Sequence, residues 1–287
     1  MDAVAEPPIV DLVIVGAPRS GTNMLRDVLT RVPGFATWPC DEINYVWRHG
    51  NRDQLDDELP AEAATPSVRR YIERSFSWVR KHRGSPVVVE KTCATSLRVP
   101  FVDALLPEAR FVFIHRDGAD AAASASQRWN ADLDLPYLAR KARFVPTVDL
   151  PHYARRYLRG RVSRRGPRSA PTWGPRFAGM DAEVAHRPLD EVCALQWQRC
   201  VEFSMDALAP LDPRRVHTVA YERFVSDPVV ETQAILDFVG ADRAANDALV
   251  HDVRASSIGN ARRTWTDEQV DRITRLIART ESRRAHV

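Results

Sequence analysis

Two stretches of this chain carry residue types and spacings suited to holding oxyanions. The first is Gly16-Ala17-Pro18-Arg19-Ser20-Gly21-Thr22-Asn23. It joins an apolar run to a helix-spaced run, so its backbone N–H groups and a helix N-terminus can converge on one anion. Gly16 and Gly21 keep the spacing of the triphosphate loop GxxxxGK[ST], but Thr22 stands where that loop needs its lysine. Arg19 supplies the charge instead. From inside the loop it can reach a phosphate oxygen and the bridging oxygen of a leaving group, which suits a diphosphate-like ligand without magnesium. The second stretch is Arg110–Ser124. Arg116 leaves a strand at its carboxyl end and Ser124 follows almost two helical turns after the helix start at Asp117, so both can address one oxyanion.

Candidates for proton transfer lie nearby. Glu42, in Pro39-Cys40-Asp41-Glu42-Ile43-Asn44-Tyr45, follows the first helix by a short segment that returns it to the strand-end face. A carboxylate serves as general base when burial raises its pKa, and Trp38, Ile43 and Tyr45 offer apolar surroundings. Asp41 is the competing carboxylate. Among the histidines, His115 reads as a strand residue, while His49 and His82 fall in less defined segments. The chain holds three lysines, Lys81, Lys91 and Lys141, so Lys91 retained beside Glu90 and Thr92 at a strand end stands out.

These residues need elements to position them. Ile9–Val15, Pro86–Glu90, Arg110–His115 and Arg215–Ala220 are runs of β-branched and apolar residues, the pattern of parallel strands buried on both faces. Helices fall between them. Met24, Leu25, Val28, Leu29 and Val32 repeat at helical spacing before Pro33-Gly34, and Val102, Leu105 and Leu106 mark a helix ended by Pro107. The stretch Ala119–Gln127 is alanine-rich behind Asp117. Asp227 and Pro228 open a helix that Gly240 closes, and Thr266 with Gln269 forms a capping box for the last one. The alternation predicts an α/β fold: a P-loop-type parallel sheet flanked by helices on both faces, with ligands at the strand carboxyl ends. One domain, 1–287, is expected. Between Asn130 and Pro188 the pattern breaks into an arginine-rich, proline-containing stretch, including Arg161–Arg168 and Thr172-Trp173-Gly174-Pro175-Arg176, which reads as an acceptor-binding or lid insertion.

Composition narrows the remaining choices. With 287 residues, 44% of them hydrophobic, the chain can bury a substantial core. A net charge of +3 compels no nucleic-acid partner. Cys40, Cys93, Cys193 and Cys200 are scattered, with no CxxC or Cys/His cluster, so no metal site is expected and a reduced, cytoplasmic setting fits. No membrane span is visible, because Ile9–Val15 is too short and lacks a basic flank. Trp47, Trp78, Trp129 and Trp173 could stack on sugar or aromatic rings.

Arg19-Ser20-Gly21-Thr22-Asn23 resembles the 5′-phosphosulfate loop of sulfotransferases that use 3′-phosphoadenosine 5′-phosphosulfate (PAPS). Arg116 with Ser124 resembles the family's 3′-phosphate segment. Glu90-Lys91-Thr92, Ala220-Tyr221-Glu222-Arg223-Phe224 and Ser257-Ile258-Gly259-Asn260-Ala261-Arg262-Arg263 follow in the family's order. The late segment departs from the pattern at Asn260 and Ala261. The resemblance implies PAPS as donor and adenosine 3′,5′-bisphosphate (PAP) as product, with no metal required. It implies Glu42 as base, as in carbohydrate sulfotransferases, with Arg19 and Lys91 on the departing oxygens. Arg19, Ser20, Gly21, Thr22 and Asn23 would hold the 5′ end, and Arg116, Ser124, Arg262 and Arg263 the 3′-phosphate. Tyr221 would lie near the adenine. The acceptor would be a carbohydrate, glycolipid or hydroxylated small molecule. A P-loop kinase of a small metabolite and a non-catalytic anion- or polysaccharide-binding module on the same fold are the competing readings.

Overall fold

The computed structural model describes residues 9–129 and 173–287. Strands β1 (Val10–Val15), β2 (Phe35–Ala36), β3 (Val87–Lys91), β4 (Arg110–His115) and β5 (Val216–Ala220) form one parallel sheet in the order β2-β3-β1-β4-β5. Along the chain run α1 (Thr22–Leu29), α2 (Asn44–Trp47), α3 (Pro66–Arg83), α4 (Val99–Leu105), α5 (Gly118–Trp129) and α6 (Met180–His186). They continue as α7 (Leu189–Leu208), α8 (Tyr221–Ser226), α9 (Pro228–Val239), α10 (Asp247–Val250), α11 (Asn260–Thr264) and α12 (Asp267–Arg284).

The strands are apolar at consecutive positions because both faces are covered. Val13, Val15, Val88, Phe111 and Phe113 enter a core with α3, α4, α5, α7 and α12, whereas Leu12, Ile14, Val87, Val112 and Ile114 enter a second core with α1, α8, α9 and α10. The four strands read from sequence agree within a residue or so at each end. Gly240 closes α9 in the left-handed conformation, and both hydrogen bonds of the Thr266/Gln269 capping box are present. Asp227 occupies the N-cap of α9, but its side chain makes no capping bond there. Of the proposed insertion, residues 130–172, with the arginine run 161–168, lie outside the described residues. The part from 173 to 188 is an irregular strap followed by α6 on α7. Among the described residues no helix is long and apolar enough to cross a membrane.

Strand order reverses at β1, which lies between β3 and β4, so the loop leaving β1 opens into the crevice where such sheets bind ligands. Close approach is needed here. A Cβ on Gly16 would stand 2.5 Å from the Ile114 carbonyl oxygen. The N-terminus of α5, which must hold its place after β4, receives two distant carboxylates. Glu222 Oε1 accepts from Asp117 N at 2.9 Å and Glu281 Oε1 from Gly118 N at 2.5 Å.

His115, the last residue of β4, turns toward α12 instead of the crevice, and its Nδ1 accepts from Arg284 Nη1 at 3.0 Å. Burial, with the Arg284 charge adding to it, pushes this imidazole down to about 4. The fold therefore keeps His115 neutral while the unfolded chain takes up a proton below the ordinary histidine range. Stability from this residue is complete above the ordinary pKa and is lost as pH falls toward 4, by roughly 3 kcal/mol in all. Urea midpoints of wild type and His115→Asn, compared from pH 7.5 to 4.5, check this. The wild type is expected to lose the larger share of its stability, and equal losses would show that His115 does not titrate this way.

Candidate active site

The loop after β1 is built around two left-handed residues. Arg19 has φ 67°, the one positive φ outside glycine among the described residues, and Gly21 has φ 89°. Gly21 has no room for a side chain, since a Cβ there would stand 2.6 Å from the Tyr221 ring. A non-glycine residue held this way costs on the order of 1–3 kcal/mol, which such loops carry where function fixes the backbone. Here the Arg19 carbonyl accepts from Arg116 Nη1 at 2.9 Å, while its own guanidinium donates from Nε to Ser124 Oγ at 2.8 Å. Burial pulls the Arg19 pKa below its ordinary value. Asn23 and Thr22 open α1, and Thr22 Oγ1 lies 3.6 Å from Cys93 Sγ.

On the other side of β1 the end of β3 meets the segment after β2. Lys91 Nζ donates to Glu42 Oε1 at 3.1 Å, and the backbone N–H of Cys93 donates to the same oxygen at 3.2 Å. The lysine side chain is 2% exposed and the glutamate 24%, so the pair joins a buried cation to a carboxylate that reaches solvent. Burial, the largest influence, pulls the Lys91 pKa down, but the charge and hydrogen bond of the facing Glu42 together with Cys93 outweigh it and the net shift is upward. The surroundings of Glu42 thus differ from the apolar ones expected, because Trp38 and Ile43 turn into the core and leave the carboxylate facing an ammonium and an amide. Ile43 N donates to Thr92 Oγ1 at 3.2 Å, which pins this segment to the β3 end. Asp41 is engaged elsewhere: its Oδ1 accepts from Arg26 Nη1 at 2.9 Å.

Arg116, 3% exposed, is held by three elements. Beyond its bond to the Arg19 carbonyl it donates from Nη2 to the Ser257 carbonyl, and its guanidinium lies over the Tyr221 ring at 4.5 Å. One turn along α5, the buried Asp120 carboxylate stands 3.7 Å from Arg116 and accepts from Gly259 N at 2.6 Å and Ala261 N at 2.8 Å. Asp120 thereby ties the segment before α11 down beside Arg116. Arg19, Thr22, Glu42, Lys91, Arg116 and Tyr221 line one cavity of about 430 Å³, together with Gly21 and Asn23.

The profile of the sulfotransferase family matches residues 11–172 and 173–245. This chain belongs to the sulfotransferase family. Its fold agrees with solved sulfotransferases of low identity. The sulfotransferase domain from the curacin biosynthetic pathway is 11% identical, covers 96% of this chain and 99% of its own, and superposes with a TM-score of 0.54. That of the Synechococcus PCC 7002 olefin synthase is 15% identical, with coverage of 97% and 98% and a TM-score of 0.53. A sulfotransferase from Alicyclobacillus acidocaldarius is 16% identical, with coverage of 97% and 94% and a TM-score of 0.53. Among curated proteins none matches the chain.

The remaining residues expected in this sulfotransferase fall off the cavity wall. Ser20 is fully buried beneath the loop, and its hydroxyl has no partner among the described residues. Ser124 stands behind Arg19, on its guanidinium. Arg262 and Arg263 are exposed on α11, and Arg263 folds back to donate to the Ile258 and Ser256 carbonyls, both at 2.7 Å. The wall is completed there by Arg254, Ser256 and Ser257 instead. His49 stacks on Tyr71 and His82 on Trp78, so neither faces the cavity. Residues that reading the sequence missed are Cys93, whose amide serves Glu42, and Asp120. Asp120 carried a readable signal, an acid four residues after Arg116 in the first turn of the helix that follows it. Among the described residues no three His, Cys, Asp or Glu side chains gather as a metal-holding group. The cavity wall thus brings together a carboxylate, an ammonium and a glycine-containing loop at a helix N-terminus.

Proposed function

We propose that this sulfotransferase moves the sulfuryl group of PAPS to an acceptor hydroxyl or amine, with Glu42 as general base and PAP as product. The convergence of Lys91 Nζ and the Cys93 amide on one oxygen of Glu42, on the wall shared with the anion loop and Arg116, carries this reading. As the acceptor oxygen attacks sulfur, Glu42 takes its proton. The new S–O bond forms while the bond from sulfur to the bridging phosphate oxygen breaks, and that oxygen leaves with the electron pair. Arg19, Lys91 and the loop amides stabilise the charge developing there, where donors fixed in advance are most effective. Protonation of Glu42 weakens its hold on Lys91, which frees the ammonium for the departing phosphate as the need arises.

Arg116, with the segment tied down by Asp120, would hold the 3′-phosphate, Ser124 would steady Arg19 from behind, and Tyr221 would border the nucleoside. The whole chain would act as one catalytic domain, with a carbohydrate or other ring-bearing alcohol as acceptor. Cys193 and Cys200 are buried free thiols, which suits a reducing cytoplasm. Calorimetric titration of the wild type without magnesium tests the donor assignment. Adenosine 3′,5′-bisphosphate is expected to bind at least about tenfold more tightly than ADP or ATP, a difference of about 1.4 kcal/mol. Preference for ATP with magnesium would overturn the reading in favour of a kinase.

A further inference from the structure

Four tryptophans could stack on a ring, and the structure separates them. Trp47 is fully buried between α3 and α4, Trp78 is 40% exposed on α3, and Trp129 packs on the core at the end of α5. Among the described residues Trp173 is the one tryptophan on the cavity wall, with Glu42 and Lys91. It packs against the same apolar core as Trp38 and Ile43, whereas Tyr221 belongs to the core on the opposite face of the sheet. The cavity therefore spans the carboxyl-end rim of the sheet, lined by Tyr221 from one face and by Trp173 from the other, with Glu42 on the same wall.

An unusual amount of buried polarity fixes Trp173. Gln196, 1% exposed in α7, donates both Nε2 protons, to the Trp173 and Pro175 carbonyls at 2.9 Å each. Asp57, 3% exposed, accepts from Arg176 N at 2.9 Å and donates its own N–H to the Arg176 carbonyl at 2.7 Å. The other Asp57 oxygen accepts from Arg48 Nη1 at 2.9 Å and Asn44 Nδ2 at 3.2 Å. Asn44 stands two residues beyond Glu42. One buried cluster thus sets the register of the base segment and of the tryptophan strap together. Buried polar groups are costly unless every member is paired, and once paired they specify one geometry.

We infer that Trp173 is the aromatic wall of the acceptor subsite and selects acceptors that present a flat ring face, a phenol or a pyranose, to the base. The inference rests on the sulfuryl-transfer reading of the same cavity. Its test uses initial rates with PAPS and three probe acceptors: 2-naphthol, methyl β-D-glucopyranoside and the linear 1-hexanol. These are measured for wild type, Trp173→Ala and Trp173→Phe, with calorimetric titration of adenosine 3′,5′-bisphosphate alongside. At least one ring probe is expected to exceed hexanol in kcat/KM, and which of the two does so separates the sources. Trp173→Ala is expected to raise KM for that probe about tenfold with kcat little changed, the scale of one lost stacking contact. Trp173→Phe should restore most of the loss, and bisphosphate affinity should hold in both variants. An unchanged KM in Trp173→Ala, equal losses for ring and linear probes, or a parallel fall in bisphosphate affinity would overturn the assignment. So would failure of both ring probes with a wild type that binds bisphosphate. If bisphosphate does not bind the wild type, the transfer reading falls first and this inference with it.

Discussion

Glu42→Gln is expected to lower kcat by about 10²- to 10⁴-fold, the range for loss of a positioned general base, while adenosine 3′,5′-bisphosphate binds as before. Glutamine keeps the carbonyl oxygen that accepts from Lys91 Nζ and the Cys93 amide, so the wall holds its shape. What it removes is the capacity to take a proton. Initial rates at saturating PAPS and calorimetry on the same preparations separate the two properties. A fall in kcat of less than about tenfold would move the base elsewhere. Asp41 is the nearest alternative on the wall, yet its carboxylate is tied to Arg26 and to the turn that Arg26 anchors. Asp41→Asn is therefore expected to keep most of the wild-type kcat.

The anion loop was legible because its chemistry is local: glycine spacing, a strand before it and a helix after it are all visible within a dozen residues. The strands were legible because burial on both faces leaves runs that need no long-range information. Other features depend on contacts the sequence does not display. Glu42 has apolar neighbours along the chain, but its partners Lys91 and Cys93 arrive through the seating of β3 beside β1. Arg262 and Arg263 were placed from motif order. In the structure Asp120 captures the N–H groups at the start of α11, which turns the helix so that its arginines face outward and Arg254, Ser256 and Ser257 face the cavity. The stripe Val68, Ile72, Phe76 and Val79 of α3 had proper punctuation, with Thr65 and Pro66 before it and Gly84 after it. Dense charge between those positions hid it.

Arg116→Ala is expected to weaken adenosine 3′,5′-bisphosphate binding by at least about a hundredfold, since charge-assisted hydrogen bonds contribute about 1.5–3 kcal/mol each. The loss has two origins that can be told apart. One is the missing guanidinium itself, which a lysine replaces only in part because an ammonium cannot serve two carbonyls and an anion in forked geometry. The other is the Asp120 carboxylate, left buried without its cation, which costs about 3–5 kcal/mol when such pairs are broken. That second effect loosens the segment before α11 and lowers the melting midpoint. The double variant Arg116→Ala/Asp120→Asn removes the stranded charge while keeping an oxygen for one of the two amides that Asp120 holds. It is expected to regain part of the midpoint and none of the affinity, measured by thermal unfolding and calorimetry. Recovery of affinity along with the midpoint would make Arg116 a support for the fold rather than a ligand for the phosphate. Wild-type affinity in the single variant would remove the 3′-phosphate from this end of the sheet altogether.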